Sequence, residues 1–217
     1  RFLFVNRIVF VNLHDYMPMK RLLVISFFVV AALSCGCSQE EDTLSNQREK
    51  LVSYLERTHS PALVAESSLE EGSQLPYYSV AGNTVCRYIK NVYDPNRVGQ
   101  PEVGEHSTVS ITFRAYVFAF SNISDSTFPF WSNDPLLESA YEELGLTVAG
   151  GVWSFEPLVL QMDGDILKGL RLALLGCREG DDVEVYMTYN MAYGDGLFST
   201  IPLESPVAWF FTVDAVE

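Results

Sequence analysis

Few side chains in this sequence stand in the spacings that do covalent or acid–base chemistry. Of its three histidines, His14 lies in the first eighteen residues, His59 stands near the end of an expected helix and His106 falls in a loop. No His-x-x-x-His or Cys-x-x-Cys pair occurs beyond residue 37, so the spacing that metal ligation needs is missing and no metal or other cofactor is expected. Neither a Gly-x-Ser-x-Gly elbow nor a Gly-x-x-x-x-Gly-Lys phosphate loop is present, and YGDGLF (193–198) has too few glycines for a dinucleotide loop. Asp163 and Asp165 are placed to cap a helix at Ile166 rather than to act as a carboxylate pair. What remains lies in NMAYGDGLFSTIPLESPVAWFF (190–211): the Tyr193 phenol, the Trp209 indole and the apolar residues around Ile201-Pro202. Such groups bury apolar surface and donate hydrogen bonds. They would also suit a simple turn between two strands.

The elements that must position these residues are legible from periodicity. Leu44, Leu51, Val52 and Leu55 recur at helical spacing until Ser60-Pro61, which predicts an amphipathic helix acting as a stalk or strut. From Tyr77 onward strands are expected. In STVSITFRAYVFAF (107–120), Val109, Ile111, Phe113, Ala115 and Val117 alternate with Ser110, Thr112, Arg114, Tyr116 and Phe118. The second half of that strand has no wet face, so Tyr116, Phe118 and Phe120 need a cover. The segment 128–154 is the candidate, read as an inserted helical flap with Asp134 as N-cap, Pro135 at the first helical position, Leu137, Tyr141 and Leu144 on one stripe and Gly145 at the stop. A short strand (155–161), a helix (165–176), a strand (181–190) and a last strand carrying Val207, Trp209, Phe211 and Val213 on one face complete the series. Strands in series around one central helix indicate an α+β fold with an antiparallel sheet.

The front of the chain reads as a targeting segment. Lys20 and Arg21 precede a 12-residue apolar run, Leu22–Leu33, too short for a bilayer span of roughly 20 residues but suited to a secretory signal. Residues 1–18 are set aside as an upstream extension. Small residues before Cys35, or alternatively Cys37, are similar to a bacterial lipoprotein cleavage box, which implies lipidation there and attachment to the cell envelope, periplasmic or at the outer-membrane surface. An ordinary signal peptide with an incidental cysteine pair is the alternative. The expected organisation is 1–37 extension plus signal, 38–76 polar linker and amphipathic helix, and 77–217 a single domain with the insert at about 128–154.

Beyond residue 37 the chain keeps ten basic and 27 acidic residues, a net charge of −17. Such a field repels phosphate backbones and anionic lipid, so nucleic acid is not an expected partner, and a membrane would be held through a lipid rather than through basic residues. Cys86 and Cys177 form one bridge or stay as two buried thiols.

From Pro157 onward the order of pieces resembles the FK506-binding-protein family of peptidyl-prolyl isomerases. Ile166-Leu167-Lys168-Gly169-Leu170 is similar to that family's VI-x-G-W/L helix, and Gly176-Cys177-Arg178-Glu179-Gly180-Asp181 to its glycine turn. Ala192-Tyr193-Gly194, then Ile201-Pro202-Leu203 and Pro206-Val207-Ala208-Trp209, follow its A-Y-G and I-P-P endings. Upstream, HSTVSITFRAYVF (106–118) looks like V-x-V-H-Y-x-G-x-L and SDST (124–127) like F-D-S-S/T. The resemblance covers about half the chain, and the insert has no counterpart in the compact members.

The resemblance implies a twisted antiparallel sheet wrapped around a short central helix, with an apolar cleft between them, an N-terminal helix and the inserted flap. It implies Phe113 as floor, Ile166, Leu167 and Leu170 as the helix side, Trp209 as the opposite wall, Ile201 as a further substrate contact, Tyr193 as hydroxyl donor and Asp125 as the pocket aspartate. The Ile166 N–H would meet a bound carbonyl. The implied activity is cis–trans isomerisation of X-Pro bonds in proline-containing segments of exported proteins. A dry cleft favours the twisted amide, which has less charge separation than the planar one. This chain departs from the pattern with Phe113 for tyrosine, Leu170 for tryptophan and Ser124 for an aromatic. The rival expectations are a catalytically inactive lipoprotein that binds a peptide or protein partner, and a surface lipoprotein whose cleft is plugged by the aromatics of the insert, Phe128, Phe130, Trp131, Tyr141, Trp153 and Phe155.

Overall fold

The computed structural model describes residues 40–82, 84–124, 126–145, 154–196 and 201–217, so the signal segment, Cys35, Cys37, Asp125 and Trp153 lie outside the described residues. The chain divides into two units, Arg1–Thr43 and Leu44–Glu217, and the contacts below belong to the second. Eight strands form one sheet: β1 (Val64–Ala65), β2 (Tyr77–Ala81), β3 (Val85–Ile89), β4 (Thr108–Val117), β5 (Trp131–Ser132), β6 (Leu158–Gln161), β7 (Asp182–Met187) and β8 (Val207–Val216). Their order in space is β1-β2-β3-β7-β8-β4-β5, and β6 pairs with β4 as well. All pairings are antiparallel except the two-residue contact of β1 with β2. Among the described residues three α-helices accompany them: α1 (residues 40–57), α2 (Glu138–Glu143) and α3 (Lys168–Leu174).

Period-two alternation gives the sheet its inner face. Val109, Ile111, Phe113 and Ala115 of β4, Val183, Val185 and Met187 of β7, and Val207, Trp209, Phe211 and Val213 of β8 are all buried. Against them pack Leu170, Ala173 and Leu174 of α3, at about 1.5–3 kcal/mol for each large side chain taken from water. A glycine lets α3 approach so closely. A Cβ on Gly169 would stand 2.7 Å from both Met187 Sδ and the Met191 carbonyl oxygen. Arg87 of β3 then closes the far end of the helix, its Nη1 donating to the carbonyls of Ala173 (2.9 Å) and Leu175 (2.6 Å). The expected acidic cap is not used: α3 starts after Leu167 with no side-chain cap, and Asp163 lies instead 3.7 Å from His106.

The outer face has a second core, and here the structure corrects the expectation about the insert. Leu51, Tyr54 and Leu55 of α1, with Leu63, cover Tyr78, Cys86, Tyr88, Phe118, Tyr186 and Ala208. Tyr54 meets Phe118 edge-on at 4.9 Å, so α1 and not the insert covers Phe118, and Phe120 packs on the same cluster. The helix is thus a strut. Its middle is tied by Gln47, which donates to the Glu204 carbonyl at 2.9 Å and accepts from Tyr189 N at 3.1 Å. Just past its end, His59 Nε2 meets Glu184 at 2.8 Å and Nδ1 meets the Pro61 carbonyl at 2.5 Å.

Within the insert, Asp134 accepts from Leu136 N at 2.9 Å beside Pro135, and Gly145 takes φ +67° where α2 ends. Tyr141 is fully buried against Phe128 (4.6 Å) and Phe155 (5.8 Å), but Leu144 is exposed and leaves the expected stripe. Cys86 and Cys177 are separate buried thiols, and burial pushes them up to about 12 and about 11 respectively.

Candidate functional site

One row of residues across three strands builds the floor of the candidate cleft. Trp131 of β5 stands opposite Ala115 of β4, and Ala115 stands opposite Trp209 of β8. Directly paired residues share a face, and the small Ala115 side chain leaves room for the two indoles to meet, with ring centroids 5.5 Å apart at 85°. Two residues before Ala115, Phe113 stacks on Trp209 at 4.6 Å and 21° and meets Trp131 edge-on at 4.9 Å. Three aromatic rings therefore form one cluster, with Phe113 and Trp209 buried and Trp131 half-buried. Contacts of this kind contribute about 0.5–1.5 kcal/mol each beyond area burial.

Phe113 is held unusually firmly. Between the β5 and β6 segments that line the edge of β4, the Asn133 side chain stands in for backbone: its Oδ1 accepts from Phe113 N (2.6 Å), and its Nδ2 donates to the carbonyls of Ile111 (2.9 Å) and Glu156 (3.0 Å). Ser132 Oγ adds a bond to the Phe113 carbonyl at 2.7 Å. The start of the expected flap is therefore part of the sheet edge. Arg114 on the outer face pairs with Asp134 at 2.7 Å, tying the following turn to β4.

On the helix side, Ile166 and Leu167 are half-buried against the core that contains Phe113, Leu170 and Trp209, and Leu170 lies fully inside it. Tyr193 follows a 3-10 turn (Tyr189–Met191) and packs on the same core, with Phe130 edge-on to its ring at 5.8 Å. Gly194 at φ +67° donates to the Tyr189 carbonyl at 2.8 Å and turns the chain sharply after the phenol. Burial pushes the Tyr193 phenol well above its ordinary range, so it stays protonated and keeps its capacity to donate. Ile201 is buried but is not a member of this cluster.

Phe113, Ile166, Leu167, Leu170, Trp209 and Tyr193 are thus brought to one core, while Asp125 lies outside the described residues. Among the described residues, the side chains bonded to the Phe113 backbone are Ser132 and Asn133. Sequence reasoning passed over Asn133, and it named Phe130 and Trp131 only as insert aromatics that plug the cleft; the structure packs Trp131 on Phe113 and Trp209, and Phe130 on Tyr193. A two-residue strand has no periodicity to betray it, and the one available signal was the apolar-polar pair Trp131-Ser132 next to the Asp134-Pro135 cap. Among the described residues no group of three His, Cys, Asp or Glu could hold a metal ion. A hollow of about 360 Å3 lies on the other face of the sheet around Phe210. Its charges satisfy one another, Lys90 with Asp182 (3.2 Å) and Glu184 (3.3 Å), and Arg114 with Asp134.

No family model and no curated protein matches the chain. Among solved structures it is similar to the N-terminal domain of FKBP42 from Arabidopsis thaliana, at 16% identity over 69% of this chain and 96% of that one, with a TM-score of 0.42. It is similar also to FkpA from Escherichia coli (14% identity, 94% and 74% covered, TM-score 0.43) and to the three FKBP domains of wheat FKBP73 (14%, 64% and 48%, 0.44). The sheet, antiparallel but for its β1 edge, with one short helix on its inner face is an α+β fold, and likenesses this weak leave both family and activity to be read from the site itself.

Proposed function

We propose that the chain is a peptidyl-prolyl cis–trans isomerase that accepts X-Pro segments of exported proteins in the cleft between α3 and the inner face of the sheet. The observation that carries this reading is the aromatic cluster of Phe113, Trp131 and Trp209, with Ile166 and Leu167 on the helix side and the protonated Tyr193 phenol packed on the same core. An apolar aromatic surface accepts the pyrrolidine ring and excludes water from the amide. Rotation about that bond meets a barrier of roughly 18–20 kcal/mol, and a ten-thousandfold acceleration asks for about 5.5 kcal/mol. Desolvation of an amide whose polarity falls as it twists, together with one or two hydrogen bonds, supplies a sum of that order. Neither nucleophile nor metal enters the step.

The lipid anchor at Cys35 or Cys37 and the envelope location belong to the same proposal. They rest on the signal-like run before those cysteines. The test of activity is a protease-coupled or exchange-NMR assay with Leu-Pro and Phe-Pro peptides. A rate equal to that in buffer removes the enzyme. A second reading, a binding module of the same fold without turnover, is favoured by Phe113 in place of a hydroxyl-bearing floor. Peptide binding without acceleration selects it.

A further inference from the structure

The aromatic cluster holds one polar atom that no described residue answers. Trp209 is 1% exposed, and its Nε1 has no hydrogen-bond partner among the described residues. Buried N–H groups are almost always paired, and an orphan of this kind is costly to keep. The indole is not loosely packed around the defect. Phe113 stacks on its ring, Trp131 stands perpendicular to it, and the paired Ala115 leaves the space beside it to these two rings. Phe113 contributes no polar side-chain atom, so in this stacked pair the indole N–H is the only donor. A phenylalanine would pack against Phe113 without that cost.

We infer that the Trp209 indole N–H is a substrate-binding donor, reserved for a carbonyl oxygen of the bound X-Pro peptide. The inference rests on the isomerase or peptide-binding reading of the same cleft. An indole nitrogen only donates, so its partner must be an acceptor. Its aromatic, uncharged surroundings select a neutral carbonyl over a carboxylate or phosphate, whose desolvation nothing in the cluster offsets. An X-Pro amide offers a carbonyl and no N–H of its own, which matches a floor with a donor and no acceptor. The same bond replaces part of what the floor loses by having phenylalanine at position 113.

The test is a titration of the 15N-labelled full chain with N-acetyl-Phe-Pro-Phe amide. The chain has three tryptophans, and the Trp209 indole signal is identified by its disappearance in Trp209→Phe. Binding is expected to move that signal downfield. Trp209→Phe is expected to bind the peptide about tenfold more weakly, the effect of one hydrogen bond, with a thermal midpoint equal to or above that of the wild type. If the wild-type chain binds the peptide while the Trp209 signal stays in place, or if Trp209→Phe binds within twofold of it, the inference falls and the cleft reading survives. If the wild-type chain does not bind the peptide, both fall. The titration of the wild type decides even where the variant does not fold.

Discussion

Replacing His59 by alanine is expected to remove a clamp on the outer face while leaving the cleft intact. Both ring nitrogens of His59 face acceptors, the Pro61 carbonyl at 2.5 Å and Glu184 Oε2 at 2.8 Å, so the ring satisfies both only as an imidazolium. Burial alone would push this imidazole down. The bonds to Glu184 and Pro61 and the charge of Glu184 outweigh burial, with Lys90 opposing, and hold it above its ordinary 6.5. For Glu184 burial would raise the carboxyl, but bonds from His59 and Tyr186 and the charges of Lys90 and His59 bring it below 4.5. Tyr54, Tyr88 and Tyr186 complete the surroundings. The His59 contribution is whole below pH 6.5 and is lost as pH rises through the raised folded value. The Glu184 contribution is whole above 4.5 and is lost as pH falls through the lowered one. The pair therefore stabilises most between about pH 4.5 and 6.5. Breaking a buried pair costs about 3–5 kcal/mol, and because Lys90 (3.3 Å) and Tyr186 (2.6 Å) still serve Glu184, the lower end applies. About 3 kcal/mol corresponds to roughly 6–12 °C in a unit of this size. Urea and thermal unfolding at pH 6 and pH 9 measure it: the wild type loses stability between the two, and His59→Ala is weaker at pH 6 and changes less. A variant within about 1 kcal/mol of wild type at pH 6, with the same pH dependence, refutes the imidazolium clamp. Peptide binding stays unchanged, because His59 packs on the opposite face of the sheet from Trp209.

Gly169→Ala places a Cβ 2.7 Å from Met187 Sδ and from the Met191 carbonyl, so a loss of about 1–3 kcal/mol is expected in urea unfolding, and a loss below about 0.5 shows that α3 has room. Asn133→Ala removes the side chain that bridges Phe113 N, Ile111 O and Glu156 O, and should cost about 2–4 kcal/mol; a loss under about 1 kcal/mol contradicts its role in the β4 edge. Tyr193→Phe should lower kcat/KM about fivefold, the effect of one neutral hydrogen bond. Because burial raises the phenol, wild-type kcat/KM should pass through pH 10 without a fall, and an inflection near 10 assigned to Tyr193 counts against a buried donor.

Much of the fold was legible because it is written in local periods. The alternation of Val109, Ile111, Phe113 and Ala115 needs only the pleat of one strand to assign an inner face, and Asp134-Pro135 needs only the geometry of one helix start. The extent of that legibility stops where the outer face begins. Phe118 and Phe120 read as positions needing a cover, but nothing local says that a helix more than sixty residues upstream supplies it. The short side of the site was invisible for a related reason. Trp131 and Ser132 are too few to show alternation, and Asn133 reads as a loop residue until its side chain is seen bonded to β4.

By itself, then, the amino-acid order determined the strand faces, the central helix with its glycine and the turn after Tyr193. Tertiary structure alone decided the partners. It set Trp131 across Ala115 from Trp209, joined His59 to Glu184 across 125 residues of chain, and left the Trp209 nitrogen without an acceptor among the described residues. The reason is physical: periodicity fixes which way a side chain points along its own strand, whereas its neighbours depend on pairing register between segments distant in sequence, which only the packed core selects.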